Sequence, residues 1–266
     1  MSEGMSTDKK RCQRIGPSIS FNLLTDSDRY FRGKIAELVF SKVAYRFIPE
    51  LRGSLPLCST WGLHNFLWEL RREACSLEEF LKKDFIAELA EVDRRLEEWC
   101  SRLGVEKVER KSDWFCSLCG RESEQRMFGF STGHFCGQCY KKIRELQESE
   151  QKELLRVAER FQFLWKRLPV IRVLARLGER DKEFLWEVYG RSQPHSPFDY
   201  IGVGSDGSKF LIDVTSVRER GRVADFTENE KKILPRALSL GFRVLRPVIY
   251  WEKDWRVKIE LEEVIH

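Results

Sequence analysis

Two pairs of cysteines with the same internal spacing constrain this chain more than any other feature. Cys116 and Cys119 form C-S-L-C, Cys136 and Cys139 form C-G-Q-C, and sixteen residues separate the two pairs. Two C-x-x-C pairs at such a separation are typical of a zinc site, in which each pair makes a tight turn that presents two sulfurs to one tetrahedral ion. The sequence therefore predicts one structural Zn²⁺ held by these four thiolates.

The residues around the cysteines predict the shape of this zinc module, which spans 113–142. Gly120 and Gly137 suit tight turns, and the second pair opens a helix whose positive end favours thiolates. This arrangement predicts a treble-clef or ribbon-like module. Lys141 and Lys142 follow the last cysteine and favour a finger that contacts DNA, whereas closed four-cysteine sites are usually structural. Both interpretations remain open at this stage.

Composition limits the classes of protein to consider. The chain has 266 residues, of which 42% are hydrophobic, so it can bury the core of one large domain or two modest ones. The net charge of +5 permits nucleic-acid binding without requiring it. Charged residues reach 33%, and asparagine occurs only at Asn22, Asn65 and Asn229. That balance favours a thermophile source.

The amino terminus and the hydropathy pattern predict a cytoplasmic protein. The opening M-S-E-G-M-S-T-D-K-K is polar, and no window approaches a run of about 18 apolar residues. We therefore expect no membrane partner. In a reducing compartment, cysteines favour metal binding over disulfides, which agrees with the zinc prediction.

Periodicity and turn residues divide the chain into helical and strand-rich parts. The predicted segments are a disordered tail (1–17), a first helix (18–50), a helical region (51–112), the zinc module (113–142), a helical linker region (143–190) and a β-β-α-β unit (191–266). In the last segment, short runs at 198–203, 209–217 and 243–250 are rich in β-branched and aromatic residues, with a helix predicted at 227–240. The expected fold class is α+β.

The first two predicted strands bring two carboxylates together. A turn centred on Asp206 in G-S-D-G-S places Asp199 directly opposite Asp213, on one face of adjacent strands. Opposed Cβ atoms lie about 4.5–5.5 Å apart, so two carboxylates there repel unless a cation lies between them. Hard oxygen ligands of this kind suit Mg²⁺ or Mn²⁺. The alternative is a pair of solvated acids at strand ends, or an acid paired with an arginine of 218–222.

This hairpin resembles the core of the PD-(D/E)XK nuclease superfamily, which includes restriction enzymes and Holliday-junction resolvases. The stretch P-F-D-Y-I-G-V followed by K-F-L-I-D-V-T-S carries the resemblance. Asp199 matches the first acid of the family, with Pro197 two residues upstream, and Asp213 matches the second. The resemblance implies a restriction-endonuclease-like sheet flanked by helices.

Two further stretches resemble other parts of that family. The run R-G-K-I-A-E-L-V-F resembles its early helix, with Glu37 in the place of a metal-binding glutamate, and Glu187 is the competing choice. The helix after the hairpin begins with Asn229 or Glu230 where the family has a polar residue. If Glu37 is correct, the nuclease core is split, and the zinc module with its surrounding helices is a long insertion.

The chain departs from the family at one position that matters for catalysis. The family's lysine falls at Thr215, and a hydroxyl cannot supply the positive charge that orients water and stabilises the phosphate. Lys209 lies four residues before Asp213, about 13 Å along a strand, which is too far. Lys231 or Lys232 of the next helix are the candidates for a migrated lysine.

The resemblance implies a metal-dependent DNA endonuclease that hydrolyses phosphodiester bonds in double-stranded or branched DNA. It also allows a homodimer. The implied catalytic residues are Glu37, Asp199, Asp213, Thr215 and Lys232, with Mg²⁺ or Mn²⁺ held by the three acids. The expected DNA-binding residues are Arg218, Arg220, Arg222, Lys141 and Lys142. The alternatives are a catalytically inactive DNA-binding or scaffolding protein on the same fold, and a zinc protein that binds a protein partner.

Overall fold

A computed structural model describes residues 12–22, 29–51, 57–110, 115–122, 128–130, 133–191, 197–218, 223–251 and 256–265. The chain divides into two compact units. The first unit comprises residues 1–81 and 176–266, and the second comprises residues 82–175. The first unit is therefore built from two separate stretches of the chain, and the second unit lies between them in the sequence.

The described helices and strands confirm the α+β class. The helices are α1 (Arg29–Phe47), α2 (Thr60–Arg72), α3 (Leu77–Lys82), α4 (Phe85–Arg102), α5 (Gly137–Arg144), α6 (Glu148–Trp165), α7 (Leu168–Leu174), α8 (Glu179–Tyr189) and α9 (Glu228–Ser239). The strands are β1 (Cys12–Asn22), β2 (Cys58–Ser59), β3 (Phe128–Phe130), β4 (Gly133–Phe135), β5 (Tyr200–Val203), β6 (Lys209–Ile212), β7 (Thr215–Arg218), β8 (Phe242–Trp251) and β9 (Arg256–Val264).

A mixed sheet forms the centre of the first unit. Its strand order is β1-β9-β8-β6-β5-β2, and β7 also pairs with β8. Both β6 and β7 run parallel to β8 in one continuous register, from Lys209 beside Phe242 to Arg218 beside Trp251. The two short strands therefore behave as one strand, interrupted at Asp213 and Val214, and α9 makes the crossover that a parallel pair requires.

Helix α1 covers one face of this sheet. Its residues Ala36, Phe40 and Ala44 recur every four positions and lie in one buried cluster with Ile212 and Leu245. Val214 packs against the same cluster. Because strand side chains alternate between faces, residue 213 points to the opposite face.

The second unit is helical and carries the cysteine pairs. Helices α4 and α6 pack along each other, and Leu96, Phe161 and Leu164 are fully buried. Arg110 is buried in this unit, where its guanidinium binds the Asp93 carboxylate at 2.8 Å and lies 4.0 Å from the centre of the Phe161 ring. Within the described ranges, no helix combines the length and apolarity needed to cross a membrane.

Several predicted boundaries are wrong, each for a local reason. The predicted tail is wrong from Cys12, where β1 begins and pairs with β9, a strand that was not predicted. Within the helical region predicted at 51–112, α3 and α4 are separate helices, because Asp84 caps a new start by accepting from Ile86 N and Ala87 N. The helical linker region predicted at 143–190 is likewise divided into separate helices, α6, α7 and α8, after the end of α5.

Candidate metal centre and acidic site

The four cysteines form one compact group of sulfurs in the second unit. Their Sγ atoms all lie within 4.8 Å of one another, and the Sγ atoms of Cys119 and Cys136 are 3.8 Å apart. A tetrahedral ion with Zn–S bonds of about 2.3 Å places its sulfurs about 3.8 Å apart. The predicted ligand set is thus assembled, and it can hold a metal ion such as zinc.

Local backbone structure positions each pair of ligands. In the first pair, Gly120 N donates to Cys116 O at 2.9 Å and closes the turn with a φ of 78°. In the second pair, Cys136 is the N-cap of α5 and Cys139 lies in the first turn of that helix. Hydrogen bonding among the four sulfurs lowers the pKa of the Cys116 and Cys136 thiols and raises the pKa of the Cys119 and Cys139 thiols, as expected for sulfurs in mutual contact.

Ser117 connects the first turn to the rest of the second unit. Its backbone N donates to His134 O at 2.8 Å, and its hydroxyl accepts from His134 N at 3.2 Å. Gln162 of α6 also donates to this hydroxyl, and Ser117 is fully buried. His134 itself is exposed and lies outside the ligand group. These hydrogen bonds fix the backbone turn that carries the sulfurs of Cys116 and Cys119.

Replacing Gly120 with alanine tests how tightly this turn is built. A Cβ at Gly120 lies 2.3 Å from Val108 O, and the residue has a positive φ. We expect Gly120→Ala to destabilise the second unit by more than about 1 kcal/mol, measured by chemical denaturation. Gly207→Ala is the matched control, because Gly207 has a φ of 84° but a Cβ there has nothing within 4 Å. Equal losses in both variants would show that backbone strain alone, and not the contact with Val108, sets the cost.

The hairpin of the first unit has the predicted register. Tyr200 pairs with Ile212 and Ile201 pairs with Leu211. The next pair in this register is Asp199 and Asp213, which lie opposite each other at the open end of the hairpin. Asp199 is anchored there, because its backbone N donates to Ile212 O at 2.8 Å and its Oδ2 accepts from Val214 N at 2.7 Å.

Asp213 forms an ion pair with a buried arginine that the sequence reasoning missed. Arg246 is the neighbour of Asp213 in the parallel register, and its Nε and Nη2 atoms donate to Asp213 Oδ2 at 3.1 and 3.0 Å. The Arg246 Nη1 atom donates to Ala224 O at 2.9 Å, and the guanidinium lies 3.6 Å from the centre of the Phe226 ring. Only 4% of Arg246 is exposed. The available signal was a charged residue in the middle of the apolar run R-V-L-R-P-V-I-Y.

A second acid adds negative charge to this ion pair. Burial and the charge of Glu230 raise the pKa of Asp213, while Arg246 and a hydrogen bond with Thr215 oppose that rise. Glu230 is 8% exposed and accepts from Thr227 N in the capping box that starts α9. Two acids therefore lie close together in a poorly solvated site, and Arg246 pairs with one of them, Asp213.

The structure does not assemble the three predicted metal-binding acids. Glu37 belongs to α1, which covers the face opposite to Asp213, and its main-chain carbonyl accepts from the Tyr200 hydroxyl at 3.1 Å. In the part of the chain that the structure describes, only the four cysteines bring three or more ligand side chains within 4.8 Å. Alternation along the strand is the physical reason, and Glu230 is the acid that lies near Asp213 instead.

The lysines considered for the family's missing charge lie elsewhere. Lys209 Nζ donates to Asp181 at 2.8 Å, and Lys231 pairs with Asp225 at 3.0 Å on the surface. Lys232 is exposed on α9. Glu187, the competing early glutamate, is paired with Arg236 on the surface. The cation in contact with Asp213 is thus Arg246.

The predicted DNA-binding residues are only partly described. Arg220 and Arg222 lie outside the described residues, and Arg218 is described only as the last residue of β7. Lys141 is exposed, as a phosphate contact requires. Lys142 instead donates to the carbonyls of Leu103 and Gly104, at the end of α4.

Comparison with known proteins finds no relative of this chain. No family model matches the chain, and no curated protein or solved structure matches it either. The nuclease resemblance therefore depends on the residues and geometry described above.

Proposed function

We propose that the first unit is a PD-(D/E)XK-type core and that the protein is a metal-dependent DNA endonuclease. The support is the order of elements: helix α1, the hairpin β5–β6 continued by β7, the crossover helix α9, and β8 parallel to the second hairpin strand. That order agrees with the restriction-endonuclease-like sheet that the resemblance implies.

The strand register is the observation that carries the proposal. It brings Asp199 and Asp213 to neighbouring positions at the open end of the hairpin, where the resemblance requires the two acids. Arg246 contacts Oδ2 of Asp213, so Oδ1 is the atom that would bind Mg²⁺ or Mn²⁺. The metal would activate water and stabilise charge at the phosphate, and Glu230 brings further negative charge to the site.

A cleavage assay tests this function. We expect supercoiled, linear, single-stranded or branched DNA to be cut with Mg²⁺ or Mn²⁺ and not with EDTA. Asp213→Ala should lower the rate on the order of a hundredfold or more, because it removes a metal ligand. Asp225→Ala is the matched control, since Asp225 is an exposed acid paired with Lys231. Cutting that survives Asp213→Ala would place the chemistry elsewhere.

The ion pair at Asp213 favours a second candidate, a DNA-binding or scaffolding protein that does not cut. A guanidinium holds the carboxylate that a metal needs, and Thr215 stands in the place of the lysine. Such a protein would leave every DNA substrate intact while binding DNA with an affinity that falls steeply as salt rises. A protein that neither cuts DNA nor binds it in a salt-sensitive way would contradict both candidates.

We further propose that the metal in the second unit is a structural zinc in a treble-clef module. The support is the order of a cysteine turn, the β3–β4 hairpin and a helix-opening cysteine pair. The bonds of Lys142 to the end of α4 favour a structural role over a DNA-contacting finger.

A further inference from the structure

Helix α2 presents two tryptophans to solvent from one side. Trp61 is 57% exposed and Trp68 is 37% exposed. They are seven residues apart, which is about two turns and about 10.5 Å along a helix, so both rings project in nearly the same direction. Arg72 follows on the same side one turn later. Large exposed aromatic surfaces in a row are uncommon on a soluble unit and indicate a binding surface.

Both rings are held in place while remaining exposed. The Trp61 ring stacks on His64 with a centroid distance of 5.6 Å and an interplanar angle of 29°. His64 is fixed in turn, because its Nδ1 donates to Tyr189 O at 2.7 Å, an oxygen that can only accept. The Arg72 guanidinium lies 4.9 Å from the centre of the Trp68 ring. Rings ordered in advance lose little side-chain entropy when a planar ligand stacks on them.

The composition of this side differs from that of a protein-docking helix. The large aliphatic side chains of α2 and its phenylalanine are all buried on its other side: Leu63, Phe66, Leu67 and Leu70. The exposed side combines two indoles, an imidazole, the amide of Asn65 and an arginine. A helix that docks into a protein groove instead presents aliphatic anchors at helical spacing.

The carboxyl end of the same helix carries Arg71 and Arg72 between Glu69 and Glu73, and Arg71 donates to Trp186 O at 3.0 Å. Burial, and secondly the charge of Arg191, lower the pKa of Arg71, so these two cations lie close enough to repel each other. Arg72 adds a third cation beside Trp68. An anionic ligand relieves this repulsion, and a phosphate backbone provides charges at regular intervals.

We propose that the exposed side of α2 binds single-stranded nucleic acid. Bases stack on Trp61 and Trp68, and Arg72 contacts the phosphate between or beside them. Stacking on an indole does not select a base, so the binding is tolerant of sequence. Helix α2 begins beside the acidic site, since Thr60 N donates to Asp199 O at 2.9 Å. None of the proposed contacts uses Asp199 or Asp213, so the proposal holds whether or not the protein cuts DNA.

Binding of a labelled oligothymidylate in EDTA tests the proposal by fluorescence anisotropy. We expect Trp61→Ala and Trp68→Ala each to weaken binding about tenfold, as loss of one stacking platform does. Trp68→Phe should recover part of the affinity, since a smaller ring still stacks. Leu38→Ala is the matched control, because Leu38 is 58% exposed on α1 of the same unit and should leave binding unchanged.

Two further comparisons separate stacking from charge. An abasic strand of equal length keeps the phosphates, so its affinity should be lower and should not change in Trp61→Ala. Arg72→Ala should reduce the salt slope by about 0.7, the value for one phosphate contact on a single strand. Equal affinity of the tryptophan and Leu38 variants would overturn the proposal. A protein that self-associates in light scattering, and whose Trp61→Ala variant is monomeric, would overturn it in favour of a second copy of this chain.

The outcome is distinguishable from the cleavage test because EDTA prevents metal-dependent cutting. Asp213→Ala should keep full affinity for the single strand, and Trp61→Ala should keep the metal dependence of any cutting. Loss of cutting with intact single-strand binding would contradict only the endonuclease. If the tryptophan variants keep both cutting and single-strand binding, only the α2 site is contradicted.

Discussion

Cys119→Ser is expected to release the metal and unfold the cysteine-containing part of the second unit. Cys119 is fully buried, and its sulfur lies 3.8 Å from that of Cys136. Four-cysteine sites of this type contribute folding free energy outright, with about 10–16 kcal/mol of zinc binding in small zinc-finger peptides. Because a hydroxyl is a poor zinc ligand, the variant loses most of that contribution. Metal analysis should find about one zinc per chain in the wild type and under a tenth of that in the variant.

A second cysteine provides the control for this result. Cys75 belongs to the first unit, is half-buried and lies outside the ligand group. Cys75→Ser should keep the zinc content and the thermal transition of the wild type. Chelation of the wild type should reproduce the Cys119→Ser phenotype, seen as proteolysis confined to the second unit. A Cys119→Ser protein with full zinc content and an unchanged transition would contradict a four-cysteine zinc site.

Local rules explain what the sequence predicts about these sites. The spacing of the cysteines is set by short turns, so the sequence alone identifies all four ligands. The register of the hairpin follows from a turn centred on Asp206, which fixes the pairing of Tyr200 with Ile212. Ser76 and Glu79 likewise form a capping box at the start of α3, a pattern set by residues three apart, with Ser76 N donating to Glu79 Oε2 at 2.7 Å.

Non-local pairing explains what the sequence does not predict. Strand β9 alternates Val257, Ile259 and Leu261, all buried, and this period-two signal was available. The partner of Asp213 had no such signal, because a parallel register between strands 33 residues apart is set by the whole crossover and not by a turn. The opposite placement of Glu37 has the same origin, since the face that α1 covers depends on tertiary packing.

Arg246→Met is expected to destabilise the first unit by about 3–5 kcal/mol, the usual cost of removing one partner of a buried ion pair. Methionine keeps most of the volume beside Phe226 but leaves Asp213 without its cation, next to the negative charge of Glu230. Chemical denaturation of the purified protein measures the change. Arg243→Met is the matched control on the same strand, because Arg243 is half-exposed and its pair with Glu263 at 2.7 Å should contribute only about 0–1 kcal/mol.

The pH dependence of that loss identifies its electrostatic origin. The pKa of Asp213 is raised in the folded protein, so between its ordinary value of 3.8 and the folded value the native state binds more protons than the unfolded state. Stability contributed by this group therefore falls as pH rises through that window. Removing Arg246 removes a cause that lowers the pKa, which extends the window to higher pH. The difference in unfolding free energy between wild type and Arg246→Met should be largest near neutral pH and should shrink as pH falls through the raised pKa of Asp213, because a protonated Asp213 needs no cation. A loss that is constant across this range would mean that Arg246 stabilises the first unit by packing on Phe226 and not by its charge.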